Sequence, residues 1–392
     1  MATLTDHTIQ KDNVSGRFRS LDGLRGLCAL FVALFHFHVL GPIYDFPIVR
    51  HAYLFVDLFF VLSGFVVTHA YGQNTNGRPL ALAYLLRRFA RLWPLHIVTL
   101  GAVFLLWVIR IFLFDPQPAD PNWVKSLINH VLLLNSVGLD SGLTWNIPSW
   151  SIGAEFYVSV LFLLLTASLS PRRVTIVLCV VGMAALAALL VLSPQTIDVS
   201  YDYGTLRCAY SFALGNVVYW LHRALSAYQP RQSVLSLAQL LVTLILIAVL
   251  WVKVSGYASY AIPLAFALAI LIFAREDGLI SVWLRSEWLN FLGTVSYGIY
   301  LVHFPLVLCF EAVFNILERR GMALTIRTAD GFAAASPVWS VAITIVYVSA
   351  VIVTARLGYR LIELPCNDLG RRAAGRMLKA GFAEIRPEGK GS

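Results

Sequence analysis

The 392-residue chain is 58% hydrophobic and only 13% charged, with a mean hydropathy of +0.74, a balance that excludes a soluble globular domain and points to a polytopic membrane protein. Its formal net charge of +9 reads as cationic loops on the cytoplasmic side of a membrane, with no nucleic-acid partner expected. The five cysteines, Cys28, Cys179, Cys208, Cys309 and Cys366, form no CxxC pair and no Cys/His cluster, which argues against disulfides and against a zinc site.

A membrane-spanning helix needs about 20 mostly apolar residues. Such stretches fall at roughly 21–41, 53–72, 93–114, 149–169, 174–193, 205–222, 234–252, 258–274, 288–310 and 337–358. The expected fold is therefore all-α, a membrane bundle of about ten transmembrane helices. Between the third and fourth stretches lies "PNWVKSLINHVLLLNSVGLDSGLTWNIP". Polar residues interrupt it too often for a span, so a re-entrant or interfacial segment is predicted.

Placing the N-terminus in the cytoplasm puts Arg17, Arg25, Arg87, Arg88, Arg91, Arg172, Arg173 and the tail from Arg371 on the inside, with most of the 30 Lys and Arg. An even number of spans then keeps the basic C-terminus inside as well. The expected organisation is a cytoplasmic tail over 1–20, a membrane domain over 21–365 and a basic cytoplasmic tail over 366–392, amphipathic or disordered from about Arg371. The first twenty residues are polar and contain no apolar core of a signal peptide. No internal repeat is visible.

Ionisable residues inside spans are costly and usually face the bundle interior. In "SLDGLRGLCALFVALFHFHVLG", Arg25 and His36 are eleven positions apart. That is within about 20° of three full helical turns and about 16.5 Å of rise, so both lie on one face. His38, about 200° further round, faces elsewhere. Arginine suits phosphate or carboxylate, and histidine moves a proton near neutral pH. The bland alternative is a snorkelling arginine and a hydrogen-bonded packing histidine.

In "FVDLFFVLSGFVVTHAYG", Asp57 either sits at the interface or orients a histidine, while Ser63 and Gly64 suggest close helix packing more than nucleophilic chemistry. In "LLRRFARLWP", Arg88 and Arg91 are helix-surface neighbours; alone they read as an ordinary positive flank. Glu155 in "NIPSWSIGAEFYVSV" is deep enough to need a partner, and Trp150 and Tyr157 read as interfacial belt residues. In "GTVSYGIYLVHFPLV", Ser296, Tyr297, Tyr300 and His303 can converge.

Taken in order, "LDGLRGLCALFVALFHF", "VDLFFVLSGF", "RRFARLWPLH", "SWSIGAEFY", "SYGIYLVHFPL" and "YRLIELP" resemble the integral-membrane acyltransferase-3 family, from Leu21 to about Pro365. The resemblance implies a ten-helix fold and transfer of an acyl group, usually acetyl from acetyl-CoA, to a hydroxyl, most often on a surface carbohydrate. The family's Arg-x10-His pattern falls on Arg25 and His36, its Arg-x-x-Arg pattern on Arg88 and Arg91, its Ser-x-x-x-Tyr pattern on Ser296 and Tyr300, and its glutamate on Glu155. Many members carry Val-Glu-Glu where this chain has Gly153-Ala154-Glu155, so a single carboxylate is available.

The expected chemistry follows. Acyl-CoA is the donor substrate, and no permanently bound cofactor or metal is expected. Arg25, Arg88 and Arg91 contact its phosphates. His36 is the general base on the acceptor hydroxyl, and an acyl-histidine is an open alternative. Glu155 or Asp57 holds the imidazole in one tautomer, and His303 with Tyr300 positions the sugar or stabilises the oxyanion. The acceptor is a carbohydrate or lipid-linked glycan, its choice shaped by outer loops and the segment 115–148, and the setting is the bacterial plasma (inner) membrane among its lipids. The competing classes are a proton-coupled transporter or flippase and a non-catalytic subunit of a polysaccharide assembly complex.

Overall fold

The computed structural model describes residues 17–72, 78–113, 122–322, 325–328, 331–334 and 336–385. It is a helical bundle. The long helices are α1 (Arg19–His36), α2 (Phe55–Tyr71), α3 (Arg78–Leu113), α4 (Trp123–Val131), α5 (Trp150–Thr166), α6 (Pro171–Leu192), α7 (Gly204–Ala224), α8 (Gln232–Trp251), α9 (Ile262–Phe273), α10 (Glu287–Arg319), α11 (Pro337–Gly358) and α12 (Leu364–Ile385). Among the described residues, eight helical stretches are long and apolar enough to cross a membrane, and the protein is an integral membrane protein.

Two expected spans are absent from those eight. The first, 21–41, forms a helix that ends at His36, with Phe37 as its C-cap. His38 therefore lies beyond the helix, exposed, 5.2 Å from the Tyr44 ring. The other, 205–222, is helical as α7 but carries Arg207, Asn216, His222 and Arg223. Both hold polar groups that only the bundle interior can satisfy.

α3 starts at Arg78, well before the expected 93, and runs for 36 residues with Pro94 inside it. At 1.5 Å per residue it is about 54 Å long, more than the hydrocarbon thickness of about 30 Å. Hydropathy sees only its apolar half; the basic half continues the same helix. From Arg371 to Ile385 the chain is also helical, the rest of the expected tail lying outside the described residues, and α12 lies along α3, where a Cβ added at Gly370 would meet Ala90 Cβ at 2.5 Å. Residues 122–148 form the nine-residue α4 and a returning loop that ends in the short 3-10 turn Ile147–Ser149. A small sheet of order β1-β3-β2 joins β1 (Val39–Leu40), β2 (Thr325–Thr328) and β3 (Gly331–Ala334). It ties the end of α1 to the chain after α10 through the parallel register Val39↔Phe332.

The central contact is between α1 and α10. A Cβ placed on Gly26 would lie 2.3 Å from Gly293 N, and one on Gly293 would lie 2.3 Å from Asp22 O. The backbones touch because neither position has a side chain, the usual route to tight association where lipid supplies no hydrophobic drive. α2 and α7 use the same device: a Cβ on Gly64 would meet Phe212 O at 2.1 Å.

Gly26→Leu is expected to force α1 from α10 and remove folded protein from the membrane fraction. Gly101→Leu, where nothing lies within 4 Å of an added Cβ, is expected to accumulate normally. Quantitative immunoblotting of membranes with size-exclusion profiles checks both; a normal Gly26→Leu profile would contradict the packing argument.

Candidate functional site

Arg25 projects from α1 onto α10. Its Nη2 donates to Gly293 O at 2.8 Å and its Nε to Ser296 Oγ at 2.9 Å, while Asp22 Oδ1 lies 3.1 Å from Nη2. On α3, Arg88 donates to Tyr84 OH at 3.1 Å and to Glu155 Oε1 at 2.5 Å. Ser63 Oγ donates to the same carboxylate oxygen at 2.5 Å. Arg91, one helical turn on, is exposed and has no hydrogen bond or ion pair among the described residues. These three arginines open into one cavity of 140 Å³, lined also by Ser63, Ser151, Glu155, Ser296 and Tyr300. Five helices converge there.

Tyr300 is buried beside this cavity, its hydroxyl 2.7 Å from Ser151 Oγ. Its ring centroid is 5.9 Å from that of His303, one turn further along α10. His303 is fully buried. Its Nδ1 lies 3.1 Å from Ile299 O, and its Nε2 lies 3.2 Å from His36 Nδ1. His36 Nδ1 is also 3.0 Å from Val32 O. One assignment satisfies all of these contacts: each Nδ1 carries the proton and donates to the carbonyl four residues back, and His303 Nε2 faces the His36 proton as an acceptor. The His36 Nε2 lone pair is then left available as a proton acceptor.

The tautomer of His36 is thus set by its own helix and by a second histidine. Neither carboxylate expected to hold it does so. Glu155 is engaged by Arg88 and Ser63. Asp57 is fully buried and takes a bidentate pair from Arg207, Nε to Oδ1 at 3.0 Å and Nη2 to Oδ2 at 2.7 Å, with Ser211 Oγ at 3.3 Å. Arg207 Nη1 reaches Asp198 Oδ1 and Val199 O. Asp57 therefore fastens α2 to α7. Arg207 is a fully buried core residue, and Ser211, one turn on along α7, shares its carboxylate partner. Trp150 is likewise buried, its ring 5.7 Å from the Arg207 guanidinium carbon, and is no interfacial belt residue. Tyr157 donates to Leu132 O at 2.8 Å.

Ser63, expected to serve close helix packing, and Tyr84 and Ser151, for which no role was expected, supply hydrogen bonds around the cavity. Tyr84–Arg88 and Ser151–Glu155 are pairs four residues apart on one helix face, a spacing open to sequence inspection. Glu363, buried in the π-helical turn Tyr359–Glu363, has Oε1 without a partner among the described residues. The single carboxylate of Gly153-Ala154-Glu155 also has a physical reason. A Cβ on Gly153 would meet Leu133 O at 2.4 Å, and Ala154 is fully buried among apolar side chains, where a second carboxylate would have no partner.

A second, larger cavity of 960 Å³ lies at the opposite ends of α3 and α10. Phe304 lines it, and the Phe304 ring centroid is 6.3 Å from that of His36. The histidine pair therefore stands between the two cavities, next to Tyr300 on one side and Phe304 on the other.

Residues 18–356 match a family model described as an acyltransferase domain. The chain is 26% identical to the peptidoglycan O-acetyltransferase OatA of Listeria monocytogenes over 90% of its own length and 56% of the relative's, so it spans little more than half of that protein. It is 28% identical to the acyltransferase MdmB of Streptomyces mycarofaciens, over 91% of this chain and 93% of the relative. It is 27% identical to the putative membrane-bound transacylase BcsY of Komagataeibacter xylinus, over 74% and 72%. No solved structure matches the chain.

Asp57→Asn is expected to act on stability. It removes the buried charge partner of Arg207 and leaves only the half-exposed Asp198, a loss of about 3–5 kcal/mol for a broken buried pair. Membrane abundance and melting temperature should fall, while the protein that survives at low temperature keeps its turnover per folded molecule. Unchanged melting with lost turnover would return Asp57 to the chemistry.

Proposed function

The chain belongs to the acyltransferase-3 family of membrane acyltransferases and is an enzyme that transfers acyl groups, and from that premise we propose that it moves acetyl from acetyl-CoA to a hydroxyl of a carbohydrate or lipid-linked glycan. One observation carries this reading above the others: a histidine pair lies against the walls of two cavities, His303 beside Tyr300 of the cavity bearing Arg25, Arg88 and Arg91, and His36 beside Phe304 of the wider one. The carbohydrate acceptor is supported by relatives named as peptidoglycan O-acetyltransferases.

In this reading Arg25, Arg88 and Arg91 take the phosphates of the donor, since guanidinium forks match phosphate oxygens. Asp22 and Glu155 fix two of the guanidiniums and compensate their charge inside the bundle. Arg91, exposed and without a carboxylate partner among the described residues, is the most accessible of the three. A cavity of 140 Å³ is smaller than the roughly 300–1,000 Å³ of a whole-ligand pocket. It admits the slender acyl-pantetheine end, and the nucleotide stays at the rim by exposed Arg91. The arm then follows the face of α1 from Arg25 toward His36.

His36 Nε2 accepts the proton of the acceptor hydroxyl. The acceptor oxygen bonds to the acyl carbon, the carbon–sulfur bond breaks, and the proton passes from the imidazolium to the departing thiolate, giving the ester and free CoA. His303 Nε2 faces the His36 Nδ1 proton, which steadies the imidazolium while it carries charge. The Tyr300 proton can turn from Ser151 to the oxyanion that forms at the acyl carbonyl. The N-terminus and the arginine cavity lie on the cytoplasmic side of a plasma membrane, where acyl-CoA is made, and the wide cavity lies on the other side.

Purified protein given labelled acetyl-CoA and the envelope glycan fraction of the organism that encodes it tests this. His36→Ala is expected to lower kcat by about 10²–10⁴-fold, the usual contribution of a general base, at normal abundance. Arg91→Ala is expected to raise KM for acetyl-CoA about tenfold with kcat little changed, the pattern of lost ground-state binding. Wild-type turnover in the His36 variant would remove the proposed base, and an Arg91 effect confined to the acceptor would remove the phosphate assignment.

A further inference from the structure

The 960 Å³ cavity is lined by three tryptophans from three segments: Trp107 on α3, Trp123 at the start of α4, and Trp145 on the loop leading to α5. Their rings touch. The Trp107 centroid is 5.2 Å from that of Trp123 and 5.4 Å from that of Trp145. All three are only partly buried, so aromatic surface remains turned to the cavity. Across it, α10 presents Glu311 and Asn315, neither of which has a hydrogen bond or ion pair among the described residues.

Trp145 is held there at a conformational cost. Its φ is +50°, uncommon for any residue with a side chain and costly for a bulky one. Its neighbour Asn146 is fully buried and donates both to Leu301 O on α10 and to Thr99 Oγ1 on α3, each at 3.1 Å. The backbone is thereby fixed two residues from His303, and the indole is aimed into the cavity. Such strain is typical of ligand clamps.

We propose that this tryptophan-lined cleft is the acceptor site, that its ligand is a sugar ring, and that Trp107, Trp123 and Trp145 form the platform on which the ring rests. This rests on the acyl-transfer reading above and deepens it. A pyranose has a face of C–H groups that packs on an indole and an equator of hydroxyls that needs acceptors and donors. The cleft offers both, with the indoles on one wall and Glu311 and Asn315 on the other. Phe304 lies at the boundary with His36, so a ring seated on the platform brings a hydroxyl to the His36 base. An acyl chain would leave Glu311 buried against hydrocarbon. Arg110, Arg319 and Arg327 also line the cleft and suit an anionic substituent of the glycan, while the donor nucleotide is assigned to the arginine cavity at the other end of α3.

The test uses purified full-length protein in nanodiscs, labelled acetyl-CoA, and the envelope glycan fraction. Trp107→Ala and Trp123→Ala are expected to raise the apparent KM for glycan about tenfold while KM for acetyl-CoA stays as in wild type. Trp107→Phe and Trp123→Phe, which keep an aromatic face, are expected to retain most of the affinity and exclude a mere folding defect. Ala variants with wild-type glycan KM would overturn the site. So would a parallel rise in KM for acetyl-CoA, which would make the cleft part of the donor path. Label appearing on lipid or protein instead of glycan would overturn the ligand class. If wild-type protein transfers no acetyl at all, the acyl-CoA reading itself fails, and that result is distinct from the others.

Discussion

The backbone contact of Gly26 with Gly293 sets the rest of the site. Because α1 and α10 touch there, Arg25 reaches Gly293 O and Ser296, and His36, further along the same pair of helices, reaches His303. A wider separation would break the Arg25 bonds to α10 and the contact of His36 with His303, leaving each side chain only the partner in its own helix. The small residues are thus part of the chemistry. They allow two polar rows, Arg25 with His36 and Ser296 with Tyr300 and His303, to face each other along one seam. The strand pairing of Val39 with Phe332 closes that seam just past the end of α1.

Polar groups inside this bundle divide into two kinds. Asp57 and Arg207 are fully buried and saturate one another, and their oxygens and nitrogens are spent on holding α2, α7 and the loop at Asp198. The arginine cavity is organised differently. Arg25 and Arg88 each keep a carboxylate partner yet line open space, and among the described residues Arg91 has no partner and His36 Nε2 no hydrogen bond. A saturated network gives rigidity, whereas groups with unused capacity at a cavity are what a reaction needs. The same contrast separates the buried Trp150, packed on Arg207, from the cavity-facing Trp107, Trp123 and Trp145.

Much of this was legible in the sequence, and what was not has identifiable causes. Hydropathy located the helices, helical spacing put Arg25 and His36 on one face, and the crowding of Ser296, Tyr300 and His303 into one span suggested that they converge, because these are properties of single helices. Pairings between helices were not legible. Nothing in the local sequence says that Asp57 would meet Arg207, 150 positions away, or that Glu155 would go to Arg88 and not to a histidine. Hydropathy windows also missed the basic half of α3, since a helix continues where apolarity stops. The segment 121–148 was read as non-spanning from its polar interruptions, but its role in carrying Trp123 and Trp145 to Trp107 needed the positive φ at Trp145 and the Asn146 bonds.

The central claim is that donor and acceptor enter from opposite ends and meet at His36. A cryo-EM structure of the protein with a non-cleavable thioether analogue of acetyl-CoA tests it most directly. The account predicts phosphate density at Arg25, Arg88 and Arg91, the pantetheine arm along α1, and the reacting carbonyl beside Tyr300, within about 3.5 Å of where a hydroxyl bound to His36 Nε2 would sit. Phosphate density in the tryptophan cleft, or an arm that ends away from His36, would contradict it.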